Sequence, residues 1–289
     1  MTAVPYKGVE IFNKDGTFRK EDDVVQGRSY SSNLSKLVKH MDKLQDLQQG
    51  KPASPVMAHI SLTNACNLTC SFCCFANRDI SEKMPTEKVF QALESFKAIG
   101  VTGVEFTGGG EPSIHPDFKE IVQYAKDLGF SLGICTNGAR FGADRPIKKD
   151  IVELFDWVRL GMYGFYEGYD YDLSIFEGTN CKPTAAYVWD ENLETSKNPN
   201  ITGEWSDVKN KRVLSKKFQT TENFIRMLDW VEENEIPCRI AFNAIKDVKE
   251  TEKDIETIRG IIEAYEEDRG RKLKSAFLSD FNFQGERRN

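Results

Sequence analysis

Cys66-Asn67-Leu68-Thr69-Cys70-Ser71-Phe72-Cys73, led in by Val56-Met57-Ala58-His59-Ile60-Ser61-Leu62, is the stretch from which the fold is read. The lead-in is a short apolar run that predicts a strand, with the cysteine loop delivered at its C-terminal end. Three thiols spaced CxxxCxxC, with an aromatic just before the last, can close around three corners of a cubic iron–sulfur cluster. Full ligation of such a cluster normally takes four cysteines. Cys74 is a poor fourth ligand, because its side chain must point away from that of its neighbour. One iron would therefore stay open, able to bind a small chelating molecule and pass it an electron. A zinc knuckle and a fully ligated electron-transfer cluster are the alternatives. Zinc usually wants four closed ligands, often as two CxxC-like pairs, and the chain has no second pair.

Outward from that loop, strand and helix patterns alternate, which favours a parallel sheet. Strands are predicted over 56–62, 104–107, 131–135, 157–162, 239–245 and 275–278. Helices are predicted over 87–98, 118–128, 151–155, 221–233 and about 255–265. Such a series is an α/β fold, a partial open (β/α)6 TIM-like barrel over residues 56–289. A 1–55 extension precedes it, with a hairpin over 9–18 and an amphipathic helix over 34–47. A long insertion, 163–217, follows the fourth strand. In barrels of this kind the chemistry sits at the C-terminal ends of the strands. There the second strand runs into Gly108-Gly109-Gly110-Glu111-Pro112 and the third into Thr136-Asn137-Gly138. Glycines let main-chain groups approach a ligand closely.

Composition narrows the function classes. At 289 residues with 39% hydrophobic content, the chain can bury one large core. No apolar run approaches the ~20 residues of a membrane span, and no signal-peptide pattern opens the sequence. The net charge of −6 argues against general nucleic-acid binding. Seven cysteines, three of them in one motif, do not suggest a secreted disulfide framework. These features predict a cytoplasmic protein.

The cysteine motif together with the glycine run resembles the signature of the radical S-adenosylmethionine (radical SAM) superfamily. The likeness covers roughly residues 56–282 and is specific for the first three strands. It implies Cys66, Cys70 and Cys73 as ligands of one 4Fe-4S cluster, with S-adenosylmethionine (SAM) on the open iron. It implies further that Gly109, Gly110 and Glu111 hold the methionyl amino group and that Phe72 stands at an adenine-contacting position. Thr136 and Asn137 match a Thr-Asn-Gly of the branch with molybdenum-cofactor cyclases and peptide maturases. The pattern departs at the fourth strand, where Gly161 replaces a frequent SAM-contacting Ser. Arg159 then becomes the candidate for the SAM carboxylate, and Asn243 a further SAM contact. After Leu278 the sequence is short and cysteine-free, so no auxiliary cluster domain is expected.

The implied activity is reductive cleavage of SAM to a 5′-deoxyadenosyl radical, which abstracts hydrogen from a nucleoside, small metabolite or peptide. An electron donor such as flavodoxin or ferredoxin is the implied partner. The rival class is a non-catalytic electron carrier or metal-binding regulator. Aromatics and a basic tail in 163–217 suggest a substrate lid. Cys135 and Cys238 read as core packing, and Cys181 as a candidate hydrogen-atom donor.

Overall fold

The computed structural model describes residues 40–68, 73, 75, 78–141, 147–162, 171–189, 221–242 and 248–278. The chain divides into two compact units, Met1–Ala53 and Ser54–Asn289. In the first, helix α1 (Met41–Gln48) is the described element. It buries none of its residues, and Met41 and Leu47 are exposed. The hairpin expected over 9–18 and helix residues 34–39 lie outside the described residues.

The second unit is built on β1 (Met57–Ser61), β2 (Gly103–Thr107), β3 (Ser131–Thr136), β4 (Trp157–Gly161), β5 (Lys182–Trp189), β6 (Cys238–Phe242) and β7 (Ala276–Leu278). Among the described residues these form one sheet, strictly parallel and ordered β1-β2-β3-β4-β5-β6-β7. Between them run α2 (Thr86–Ala98), α3 (Phe118–Asp127), α4 (Lys149–Val152), α5 (Thr221–Glu233) and α6 (Val248–Arg269). In a parallel sheet of sequential strand order, right-handed crossovers place the connecting helices on one side. This is the open barrel-like α/β arc the sequence predicts.

One correction concerns its middle. The sheet has seven strands, and β5 lies within the segment read as an insertion. Pro183, which cannot donate to a ladder, and the weak strand formers Ala185 and Ala186 disguise it. Register is nonetheless continuous, from Trp157↔Lys182 to Gly161↔Ala186 on one side and Ala185↔Cys238 to Trp189↔Phe242 on the other. Tyr171, Phe176, Tyr187 and Trp189, read as cover for a lid, are core residues instead. Residues 163–170 and 190–217 of that segment lie outside the described residues.

Strand alternation sorts the two faces. Ile60, Val104, Phe106, Leu132, Ile134, Val158, Leu160, Tyr187 and Ile240 point outward and are buried under the helices. Opposite them come Val89 and Leu93 of α2, Ile121 and Val122 of α3, and Phe224, Leu228 and Val231 of α5. Phe106, Phe118 and Phe155 meet with ring centroids 6.3–6.4 Å apart. At the far edge the buried Glu232 carboxylate accepts from the amides of Lys274, Ser275 and Ala276, fixing the entry to β7. No helix among the described residues is long and apolar enough to cross a membrane.

Candidate functional site at the strand C-termini

The first three strands end in loops that hydrogen-bond to one another. Beyond β1, Leu62 is fully buried and its carbonyl accepts from Met84 N (2.9 Å), while Asn64 N donates to Glu82 O (2.9 Å). The cysteine loop thus leaves and returns through a short antiparallel contact, Thr63↔Lys83. Arg78 closes it from inside. This side chain is 8% exposed; Nε donates to Asn64 O (2.9 Å), and Nη1 to Phe75 O (2.6 Å) and Cys73 Sγ (3.2 Å). Sequence reasoning missed Arg78, because an arginine outside the motif carries no spacing signal.

The glycine run docks directly against this loop. Gly109 N donates to Ser61 Oγ (2.9 Å), Gly110 N to Thr63 O (2.9 Å) and Glu111 N to Ala65 O (2.8 Å). A Cβ on Gly110 would sit 1.9 Å from the Ala65 carbonyl oxygen, so only glycine permits the approach. With these N–H groups engaged, the run offers a ligand acceptors rather than donors. Among the described residues no donor reaches the Gly109 or Gly110 carbonyl.

Glu111 is 2% exposed and organises the third loop. Its Oε1 accepts from Ser113 N (3.1 Å), Ser113 Oγ (2.6 Å) and Thr136 Oγ1 (2.7 Å), and its Oε2 from Asn137 N (2.7 Å). Thr136 Oγ1 also accepts from Gly138 N (3.2 Å). The Asn137 amide nitrogen reaches back to Asn67 Oδ1 (2.6 Å) and Cys66 Sγ (3.8 Å). Cysteine loop, glycine run and Thr-Asn-Gly turn therefore form one hydrogen-bonded unit. Glu111 and Thr136, expected to face a cofactor, make their described bonds to that unit.

Two of the three motif thiols, Cys66 and Cys73, are described, and each sulfur accepts a hydrogen bond. Cys66 Sγ accepts from Leu68 N (3.5 Å), and Cys73 Sγ from Arg78. Burial first, and then the Glu111 charge, push the Cys66 thiol up to about 12. Only a nearby cation would hold it as the thiolate that a cluster needs. Among the described residues no three His, Cys, Asp or Glu side chains are gathered as a metal site, and Cys70 lies outside them. Phe72, Cys74 and Asn243 also lie outside the described residues.

The remaining candidates fall elsewhere. Arg159 lies mid-strand on the inner face of β4, with Nη1 3.6 Å from Cys135 Sγ. Cys135, read as core packing, is half-buried on that same face. Cys181 is 5% exposed and precedes β5, at the N-terminal end of the strands and away from the rim, which does not suit the hydrogen-donor reading. Cys238 is fully buried, as packing requires. A groove of about 700 Å³ between Phe90, Asp117, Lys119 and Tyr124 lies on the helical side and contains none of these residues.

Comparison with known proteins agrees with this geometry. Residues 60–169 match the family model described as the radical SAM superfamily. An S-adenosylmethionine-dependent nucleotide dehydratase of Selenomonas ruminantium is 32% identical over 98 residues, 34% of this chain and 35% of that one. The sporulation killing factor maturation protein SkfB of Bacillus subtilis is 34% identical over 85 residues, 29% of this chain and 20% of that one. The chain thus spans about a third or less of these two curated relatives. Among solved structures, Streptococcus suis SuiB bound to precursor peptide SuiA superposes with a TM-score of 0.52 at 18% identity, covering 87% of this chain and 55% of that one; the likeness is one of fold. The segment that matches the radical SAM superfamily, residues 60–169, contains the three loops that meet at the rim.

Proposed function

We propose that this protein holds one 4Fe-4S cluster on Cys66, Cys70 and Cys73, binds SAM beside it, and starts radical chemistry on an organic substrate. The observation that carries the reading is the rim itself. Asn137 joins Cys66 to the third strand while Glu111 anchors Asn137 and closes the glycine run. When bound, cluster and SAM together supply one-electron cleavage of a sulfonium C–S bond and hence a carbon radical.

The chain's own residues set the conditions. The Gly109 and Gly110 carbonyls, left as acceptors, suit the SAM ammonium group. Arg78, itself buried, fixes the Cys73 sulfur by donating to it from Nη1. Asn137 orients the Cys66 side of the loop by donating to its sulfur. Phe72 and Asn243 are proposed as SAM contacts on sequence grounds. A nucleoside, small metabolite or peptide is the proposed substrate, the relatives being named for nucleotide and peptide chemistry. A flavodoxin or ferredoxin in the cytoplasm is the proposed reductant.

Iron and sulfide analysis of anaerobically reconstituted protein tests the ligand set. Cys66→Ala, Cys70→Ala and Cys73→Ala should each lose most of the iron. Cys135→Ala, Cys181→Ala and Cys238→Ala should keep it, since Cys181 and Cys238 are buried away from the rim and Cys135 lies on the inner face below it. Iron retained in any of the first three variants, or lost in one of the others, would refute the assignment.

A further inference from the structure

The inner face of the sheet is unlike the interior of an ordinary barrel. Such interiors are filled by layers of branched apolar side chains. Here one cross-sheet row is His59, Glu105, Gly133, Trp157 and Lys182. The next row towards the rim contains Cys135, Arg159 and Thr184. That row lies directly beneath the Thr136-Asn137 turn, so roughly 7 Å of strand separates Arg159's level from Asn137.

Two features show a prepared surface rather than stray polarity. Trp157 lies against the backbone of Gly133, where a Cβ would come within 2.1 Å of the indole ring. The sheet is thinned at that point to seat the ring. Arg159 then stacks over the indole, its guanidinium carbon 5.4 Å from the ring centroid. A stacked guanidinium is held in place and presents its fork of donors as a rigid unit. Yet among the described residues its hydrogen-bond partner is the Cys135 sulfur at 3.6 Å, and it has no carboxylate within ion-pair distance. The nearby Glu105 is engaged instead by the Cys135 thiol (3.2 Å) and His59 Nδ1 (3.4 Å). A half-buried arginine without an oxygen acceptor is a receptor for an oxyanion.

We propose that the inner face spanned by β2–β5 is the substrate seat, in which Arg159 takes an anionic group, phosphate or carboxylate, and the Trp157 indole takes the adjoining carbon skeleton. The inference rests on the rim being the radical-generating site, and it names the substrate class: an anionic organic molecule. Arg159 is then a specificity residue for substrate rather than the partner of the SAM carboxylate.

Calorimetric titration of reconstituted, SAM-loaded protein with phenyl phosphate, benzoate and inorganic phosphate, against chloride at equal ionic strength, tests it. Saturable one-site binding of phenyl phosphate or benzoate is expected, weakened at least tenfold in Arg159→Gln and less in Arg159→Lys. The tighter of the two identifies the substrate anion. In Trp157→Leu, phenyl phosphate should lose its advantage over inorganic phosphate. Three results would overturn the seat: no saturable binding of either aryl anion, unchanged binding in Arg159→Gln, or binding that SAM displaces. The last would put SAM's own carboxylate on Arg159, and it is read from the unvaried protein even if the variants fail to fold. Formation of 5′-deoxyadenosine by the unvaried protein is a separate measurement. Its absence alongside intact anion binding would fault the rim reading and leave the seat standing.

Discussion

Gly110 shows what a motif residue does that its motif does not say. The spacing of Gly109, Gly110 and Glu111 was legible in the sequence as a ligand-binding loop. The structure adds that Gly110 lets two loops of the chain itself touch, its absent Cβ making room for the Ala65 carbonyl. Gly110→Ala should therefore push the cysteine loop off the glycine run and lose most of its iron on reconstitution. Gly260→Ala is the contrast: that glycine is exposed inside α6 with nothing near its Cβ position. The change should stabilise the protein by about 0.5–1 kcal/mol and leave iron content alone, as denaturation and iron assays would show. Glu111 was legible as a site residue, but its service to Ser113, Thr136 and Asn137 was not, because that service depends on where two other strands end. Arg78 was invisible for the same reason.

Among elements, β5 is the one that sequence reasoning lost. Apolar periodicity exposed the other strands, whereas Lys182-Pro183 opens β5 with residues that argue against a central strand. Its identity comes from partners far along the chain: β4 on one side and β6 on the other. Within it, Trp189 packs edge-on to Phe224 at 5.4 Å and is 2% exposed, but among the described residues its indole Nε1 finds no hydrogen-bond partner. An unmet buried donor costs about 1–3 kcal/mol, which offsets part of what the larger ring contributes. Trp189→Phe should thus change stability by less than about 1.5 kcal/mol, while Trp189→Ala should cost about 3–5 kcal/mol. Urea denaturation of the pair decides it, and equal losses would show that the nitrogen is satisfied after all.

At the scale of the whole molecule, the sheet separates an apolar outer face from a polar inner one, and buried thiols lie in the former. Burial pushes Cys238 from 9.0 up to about 12, and it packs 3.8 Å from Met227 Sδ. The folded thiol stays protonated where the unfolded one ionises. Its contribution is complete below pH 9 and is lost as pH rises towards 12, by up to about 1.4 kcal/mol per pH unit. Under reducing, anaerobic conditions, Cys238→Ala should be less stable than the native chain at pH 8 but lose stability more slowly between pH 9 and 10.5. Parallel slopes would contradict this. The fold class and rim loops could be read from the strand–helix alternation and the cysteine spacing. The inner-face rows could not, because they require the register of five strands. The proposed activity stands on the rim's capacity to cleave SAM. Reconstituted, reduced protein mixed with SAM and analysed by chromatography should form 5′-deoxyadenosine, and the Cys70→Ala variant should not; full cluster occupancy with SAM recovered intact would contradict the claim.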